Sequence, residues 1–188
     1  MYARLADNSL FFLREVQPSD KEKLVEGMRG LSEESIRRRF LGPKPTLSTA
    51  ELRYLTEVDG FDHYAIVAVP AGDEQRISAV ARFVRLADDP KAAEAAIVVC
   101  DNLHGRGLGS LLARRLTDAA RERGIERITA TISSENRPAL KLMRKIDERL
   151  NGQPVGSSVT EMVARLPMAS AADLGEEPVV PPASASAA

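Results

Sequence analysis

The sequence predicts a mixed α/β domain, a strongly twisted and mostly antiparallel sheet with one central parallel pair and helices on both sides. Three observations carry that expectation. A chain of 188 residues with 44% hydrophobic and 28% charged residues has ordinary globular composition and enough length for one domain with a substantial core. Short runs rich in β-branched residues recur along it, separated by turn signals and by stretches of helical periodicity. One of them, 95–100, is followed by a glycine-dense loop, a helix and a further strand-like run. Such a β-α-β crossover requires a parallel pairing.

The first strand is expected at 10–14 (LFFLR), ending before Val16-Gln17-Pro18. Ser19-Asp20 then offers an N-cap, and Leu24, Val25, Met28 and Leu31 recur at helical spacing. A short helix is expected from Ser32-Glu33-Glu34-Ser35 to Phe40, stopped by Gly42-Pro43. Ser48-Thr49-Ala50-Glu51 matches a capping box, with Leu52, Leu55 and Val58 behind it. Residues 63–69 (HYAIVAV) and 76–86 (RISAVARFVRL) read as a hairpin joined through Pro70-Ala71-Gly72-Asp73-Glu74. Asp88-Asp89-Pro90 turns the chain into a strand over 92–100, and a consecutive antiparallel meander is the economical arrangement. After the crossover, 127–132 (RITATI) is a strand, Ala139, Leu142, Met143, Ile146 and Leu150 stripe a helix, and 160–166 (TEMVARL) ends the sheet. From Ala169 the composition turns to Ala, Ser and Pro. Such a tail cannot bury enough apolar surface to offset its ordering entropy, so 1–168 is expected to be the folded domain and 169–188 disordered.

Residues 94–124 organise the rest. The loop His104-Gly105-Arg106-Gly107-Leu108-Gly109-Ser110 joins the 95–100 strand to a helix striped by Leu108, Leu111, Leu112, Leu116 and Ala119, with Gly124 as its C-cap signal. The first N–H groups of a helix have no intrahelical partner, and its dipole adds positive charge there. Glycines let an anion approach the backbone, which suits a phosphate or pyrophosphate. A P-loop is excluded because Gly109-Ser110-Leu111 lacks its lysine, and the Rossmann fingerprint needs G-x-G-x-x-G where this loop has G-x-G-x-G in mid-chain.

That loop resembles the phosphate loop of the GNAT N-acetyltransferase family, Q/R-x-x-G-x-G/A, with His104 in place of Gln or Arg. Asn136-Arg137-Pro138-Ala139-Leu140-Lys141-Leu142-Met143 is similar to the family's N-x-x-A-x-x-L-Y helix start. The resemblance runs from about residue 12 to residue 167. The spacing of Glu94, Asp101 and Gly105-Arg106-Gly107 is similar to that of the bacterial protein-lysine acetyltransferases. The resemblance implies the GNAT acyl-CoA N-acyltransferase fold, acetyl-CoA (coenzyme A) as cofactor, and transfer of an acetyl group to a primary amine. It implies that the pantetheine arm pairs with the main chain of Ile97 and Val99, whose groups at i and i+2 point along one strand edge. The pyrophosphate would sit on the N–H groups of Gly105, Arg106, Gly107, Leu108, Gly109 and Ser110. Arg106 adds its charge there or stays solvated. Asn136 would contact the cofactor arm, cap the following helix, or do both.

An acceptor lysine has a pKa of about 10.4 and arrives protonated, so a base is required. Glu94, ten positions before His104 as the family's glutamate is in the lysine-acetylating branch, is the expected catalytic base, acting directly or through a water. It shares a strand face with the small side chains Ala96 and Val98. The family's usual acid, a tyrosine, is replaced by Met143, which leaves the proton of the departing thiol to solvent or to Tyr54 or Tyr64. The acceptor is expected to be a protein lysine, with a small amine as the rival and a non-catalytic acyl-CoA sensor as a third reading. That branch often carries a separate regulatory domain, which these residues do not add to the single one.

The remaining features bound the partners. A net charge of −1 gives no field to recruit nucleic acid or an acidic membrane. Arg37-Arg38-Arg39 is the one basic cluster, either a solvated helix face or a hold on an acidic acceptor or a cofactor phosphate. His63, His104 and the lone Cys100 do not make a metal-ligand set, and one cysteine forms no internal disulfide. No apolar run reaches membrane-spanning length and 1–8 has no signal-peptide core, so a soluble, cytoplasmic protein is expected. Nothing fixes the oligomeric state.

Overall fold

The computed structural model describes residues 1–44, 46–150, 152–155 and 158–166, so the expected tail at 169–188 lies outside the described residues. Its eight strands form one sheet in the order β1-β2-β3-β4-β5-β6-β8-β7, with β1 Tyr2–Arg4, β2 Leu10–Glu15, β3 His63–Pro70, β4 Ala79–Arg85, β5 Ala92–Val99, β6 Arg127–Ser133, β7 Gln153–Val155 and β8 Val159–Arg165. All neighbours are antiparallel except β5 and β6. The expected parallel pair is therefore at the centre of the sheet. The three-residue edge strands β1 and β7 were not expected, because so short a segment shows no periodicity.

The helices divide between the two faces by the alternation of the strands. Ile66, Ala68, Ala79, Ala81, Phe83 and Ala93 turn to the larger core, where α4 (Leu108–Glu122) and α5 (Arg137–Ile146) pack. Leu108, Leu112 and Leu116 of α4 are buried there at helical spacing. Emptying such a site by Leu112→Ala costs about 2–5 kcal/mol. Ala65, Val67 and Val69 turn the other way, into a smaller core with Val16 and Ile77 that Leu24 joins. The helices of that side are α1 (Lys21–Arg29), α2 (Glu33–Phe40) and α3 (Thr49–Thr56).

Local chemistry sets the helix ends. Ser32 accepts from the Ser35 N–H at 3.2 Å to start α2, and Ser48 and Glu51 form the expected capping box of α3. Asp20 does not cap α1 with its side chain. Its fully buried carboxylate turns back to the Gln17 N–H at 2.9 Å and to Arg14 at 2.6 and 2.8 Å. Gly124, at φ +75°, follows the end of α4 as its signal predicts. Leu150 is not on α5, which stops at Ile146; it reaches the core from the turn beyond. Among the described residues, no helix is long and apolar enough to cross a membrane.

Candidate active site

The site begins where the parallel pair ends. β5 and β6 are registered only at Ala92–Arg127, Ala93–Ile128 and Glu94–Thr129, although β5 runs on to Val99 and β6 to Ser133. On its other side β5 stays paired with β4 from Ala93 to Val99. The Leu86 N–H donates to the Ala92 carbonyl and the Cys100 N–H to the Ser78 carbonyl, both at 2.9 Å, which fixes the phase of that ladder. Glu94, Ala96 and Val98 therefore turn their main-chain groups to β4, and Ala95, Ile97 and Val99 turn theirs toward the gap. The gap is a cleft of about 510 Å³. Ala95 belongs with the expected Ile97 and Val99, and extending the i, i+2 rule by one step back along the strand finds it.

The glycine loop closes one end of the cleft. Gly105 and Gly107 adopt φ +76° and +95°, a backbone that β-carbon side chains resist, and Gly107 stands as N-cap of α4. The first turn of α4 carries no acidic side chain, and its leading N–H groups have no intrahelical acceptor. Gly105, Gly107, Gly109, Ser110 and Asn136 all line the cleft. Leu108 is a core residue with a fully buried side chain, so only its backbone belongs to the loop. Arg106 does not line the cleft; its guanidinium lies 3.3 Å from the Asp7 carboxylate. His104, in the place of the family's Gln or Arg, donates from Nε2 to the Val99 carbonyl at 2.8 Å and ties the loop to the end of β5.

The opposite wall comes from α5. The Asn136 side chain accepts from the Ala139 N–H at 3.2 Å, which is the capping role expected for it. Lys141 and Lys145 line the cleft one helical turn apart, and the Lys145 ammonium reaches the Ser110 hydroxyl at 3.3 Å. These two cations beside exposed N–H groups suit an anionic ligand. They were missed in the sequence, where their i, i+4 spacing was the available signal. Met143, 6% exposed, lines the cleft and offers no proton.

Glu94 is exposed on the face that carries α1, α2 and α3, at the root of the gap. The basic triplet of α2 splits by direction. Arg37 is exposed and lies 3.7 Å from Glu33, and Arg38 pairs with Glu34 and lines the cleft. Arg39 turns inward. Burial pulls its pKa below the ordinary arginine value, opposed by the charges of Glu94 and Tyr54. The α2 helix is held to the site by Asp101, whose carboxylate accepts from the Ser32 N–H at 2.8 Å and from the hydroxyls of Ser32 and Ser35 at 2.9 and 2.5 Å. Burial opposes ionisation of Asp101, but these bonds outweigh it and hold its pKa below the usual carboxylate value. Of the tyrosines considered as acids, Tyr64 stacks on Phe83 at 5.5 Å in the larger core, and Tyr54 faces His63 at 4.7 Å on the Glu94 side. Cys100 is half-buried with its thiol pKa raised by burial.

The model of the acetyltransferase (GNAT) family matches residues 33–147, from the start of α2 to just past α5. Acetyltransferase Pat of Mycolicibacterium smegmatis is 36% identical over 153 residues, 81% of this chain and 45% of that protein. The chain thus spans under half the length of that relative. The GNAT domain of S. lividans PAT superposes with a TM-score of 0.79 at 28% identity, covering 88% of this chain and 96% of that one. Spermidine N-acetyltransferase from Vibrio cholerae, solved in complex with CoA and spermine, shares the fold with a TM-score of 0.65 at 16% identity over 83% of this chain and 95% of that one.

Proposed function

The chain belongs to the acetyltransferase (GNAT) family, whose fold uses acetyl-CoA, and on that premise we propose that it transfers an acetyl group to a primary amine of a protein lysine, with Glu94 as the base. The observation that carries the reading is the edge of β5 freed beyond Glu94, running straight into a glycine loop at the N-terminus of α4. Ala95, Ile97 and Val99 offer main-chain donors and acceptors to an amide-bearing arm, and the N–H groups of residues 105–110 with Lys141 and Lys145 suit a pyrophosphate. The Val99 carbonyl already takes the His104 bond, so Ile97 and Ala95 carry more of the pairing.

Acetyl-CoA supplies an acetyl thioester and a thiol that leaves. The protein's part is to hold the amine beside the gap and to remove its proton. Glu94 does the latter, directly or through a water, because it is exposed at the root of the gap and faces away from the apolar core of α4 and α5. Met143 has no proton to give, so the thiolate of pKa about 8.5 is protonated by solvent. The lysine acceptor is supported by the Glu94–Asp101–glycine spacing, which is similar to that of the bacterial protein-lysine acetyltransferases. A small amine is the second reading, favoured by the small apolar cavity on the Glu94 side of β5.

The test is release of free thiol from acetyl-CoA with a panel of amines and proteins. Turnover with any acceptor supports the enzyme reading, and the acceptor with the highest kcat/KM identifies the class. Tight acetyl-CoA binding with no thiol release from any acceptor would leave a sensor.

A further inference from the structure

A second cavity remains outside the cofactor cleft. It lies between α1, α2, α3 and the sheet, with a volume of about 80 Å³ and apolar walls from Leu24, Met28, Leu31, Leu55, Ile77 and Val80. It adjoins the cleft, since Arg39, Ala96 and Val98 line both. Three polar side chains break its apolar lining. Arg82 reaches in from β4, opposite Ala96, and is only 5% exposed. Its Nη2 donates to the Tyr54 carbonyl at 3.2 Å and its guanidinium lies 4.7 Å from the centre of the Tyr54 ring. Its Nη1 is buried with no hydrogen-bond partner among the described residues, and the fully buried Ser78 hydroxyl is in the same state. Arg39 is the third. Neither guanidinium has a carboxylate within 4.0 Å among the described residues.

A guanidinium buried as Arg82 is in an apolar cavity with no anion beside it is costly, because burial removes water that nothing replaces. The cost is visible at Arg82, whose pKa burial, together with the charge of Arg39, pulls down to about 10. A carboxylate on the ligand would offset it. Its planar oxygens accept from a guanidinium fork and from a hydroxyl, and the cavity walls suit a short apolar stem. A polyamine or another bare cation would be repelled. Along β5 the pleat sets Glu94 about 7 Å from Ala96, the residue opposite Arg82. Glu94 and Arg82 thus lie on one face of the sheet and two residues apart in register, so one substrate can offer an amine to the first and a carboxylate to the second.

We infer that this cavity is the anion subsite of the acceptor: the amine substrate carries a carboxylate that docks on Arg82 and Arg39, with the Ser78 hydroxyl donating to it. The inference rests on the acetyltransferase reading of the adjoining cleft. Two sources have this chemistry, a free amino acid and an acidic side chain next to a lysine in a peptide.

Binding decides the proposal without turnover. Isovalerate and its neutral isostere isovaleramide are titrated into the full chain saturated with CoA. Isovalerate is expected to bind saturably and at least about tenfold more tightly than the amide, the weight of one charge-assisted hydrogen bond. Arg39→Gln and Arg82→Gln should each weaken isovalerate by about tenfold or more, and CoA affinity should stay in Arg82→Gln, whose side chain lies outside the cofactor cleft. Should Arg82→Gln fail to fold, Arg39→Gln and the acid–amide comparison carry the test. Equal binding of acid and amide, or no binding of isovalerate at about 100 mM, overturns the subsite. Thiol release then separates the sources. Preference for leucine over leucinamide identifies the free amino acid, and preference for Glu over Gln beside lysine in a peptide identifies the acidic neighbour. Turnover that discriminates in neither pair overturns the subsite and leaves the acetyltransferase reading standing, whereas failure of that reading would appear as no thiol release at all.

Discussion

Glu94 and Thr129 form the last registered pair of the parallel ladder between β5 and β6. Everything the site needs follows from that terminus. Beyond it the β5 edge is exposed to the cleft, the glycine loop caps the far end, and the carboxylate expected to act as base stands at the near end.

The glycine loop gives a test in which stability and affinity part. A β-carbon on Gly109 would meet only the Val99 Cγ2 at 3.7 Å, an ordinary contact, and the residue is helical. Gly109→Ala should hold or raise stability, by up to about 1 kcal/mol. It should weaken acetyl-CoA by at least about tenfold, the loss of roughly one charge-assisted hydrogen bond as the methyl blocks close approach. Gly107→Ala differs, because φ +95° strains any β-carbon side chain and should cost about 1–2 kcal/mol of stability as well. Calorimetric titration beside thermal melts checks both.

Asp101 is expected to anchor α2. Asp101→Ala removes the acceptor for the Ser32 N–H and for two hydroxyls and should cost about 1–3 kcal/mol. Amide exchange should accelerate in α2 well before α4. Uniform acceleration across both helices would show that the carboxylate holds no particular element.

His63 sets a pH dependence. Burial, aided by the charge of Arg82 and opposed by Asp59, lowers its pKa from 6.5 to about 4. The unfolded chain therefore takes up the proton first, and the stability from neutral His63 is full above pH 6.5 and lost as pH falls toward 4. The Nε2 atom is buried without a partner, so His63→Phe leaves no hydrogen bond unmade. The drop in Tm between pH 7 and pH 5 should be smaller in His63→Phe than in the parent, and an equal drop would place the titration elsewhere.

Much of this was legible in the sequence because it is local. The loop between the 95–100 strand and α4 declares itself by glycine spacing, Ser48 and Glu51 by a capping box, and the central parallel pair by the β-α-β order. What stayed hidden depends on partners distant in sequence. Asp101 meets Ser32 and Ser35 only once α2 crosses β5, and Lys145 meets Ser110 only once α5 faces α4. Arg39 looked like its neighbours Arg37 and Arg38, and only the turn of α2 over the sheet sends it inward. Arg82 was given no role in the strand expected over 76–86, since alternation alone does not say which face holds a cavity.

The most direct measurement is the acetyl-transfer rate of Glu94→Gln with a defined acceptor at neutral pH. Glutamine keeps the size and hydrogen bonding but loses the basicity, and general base catalysis is worth about a hundred- to ten-thousandfold. Turnover should fall by at least about a hundredfold, with acetyl-CoA affinity nearly unchanged because the glycine loop is untouched, and raising the pH should recover part of the loss as more amine arrives neutral. Near-normal turnover at neutral pH would contradict the assignment of Glu94 as the base.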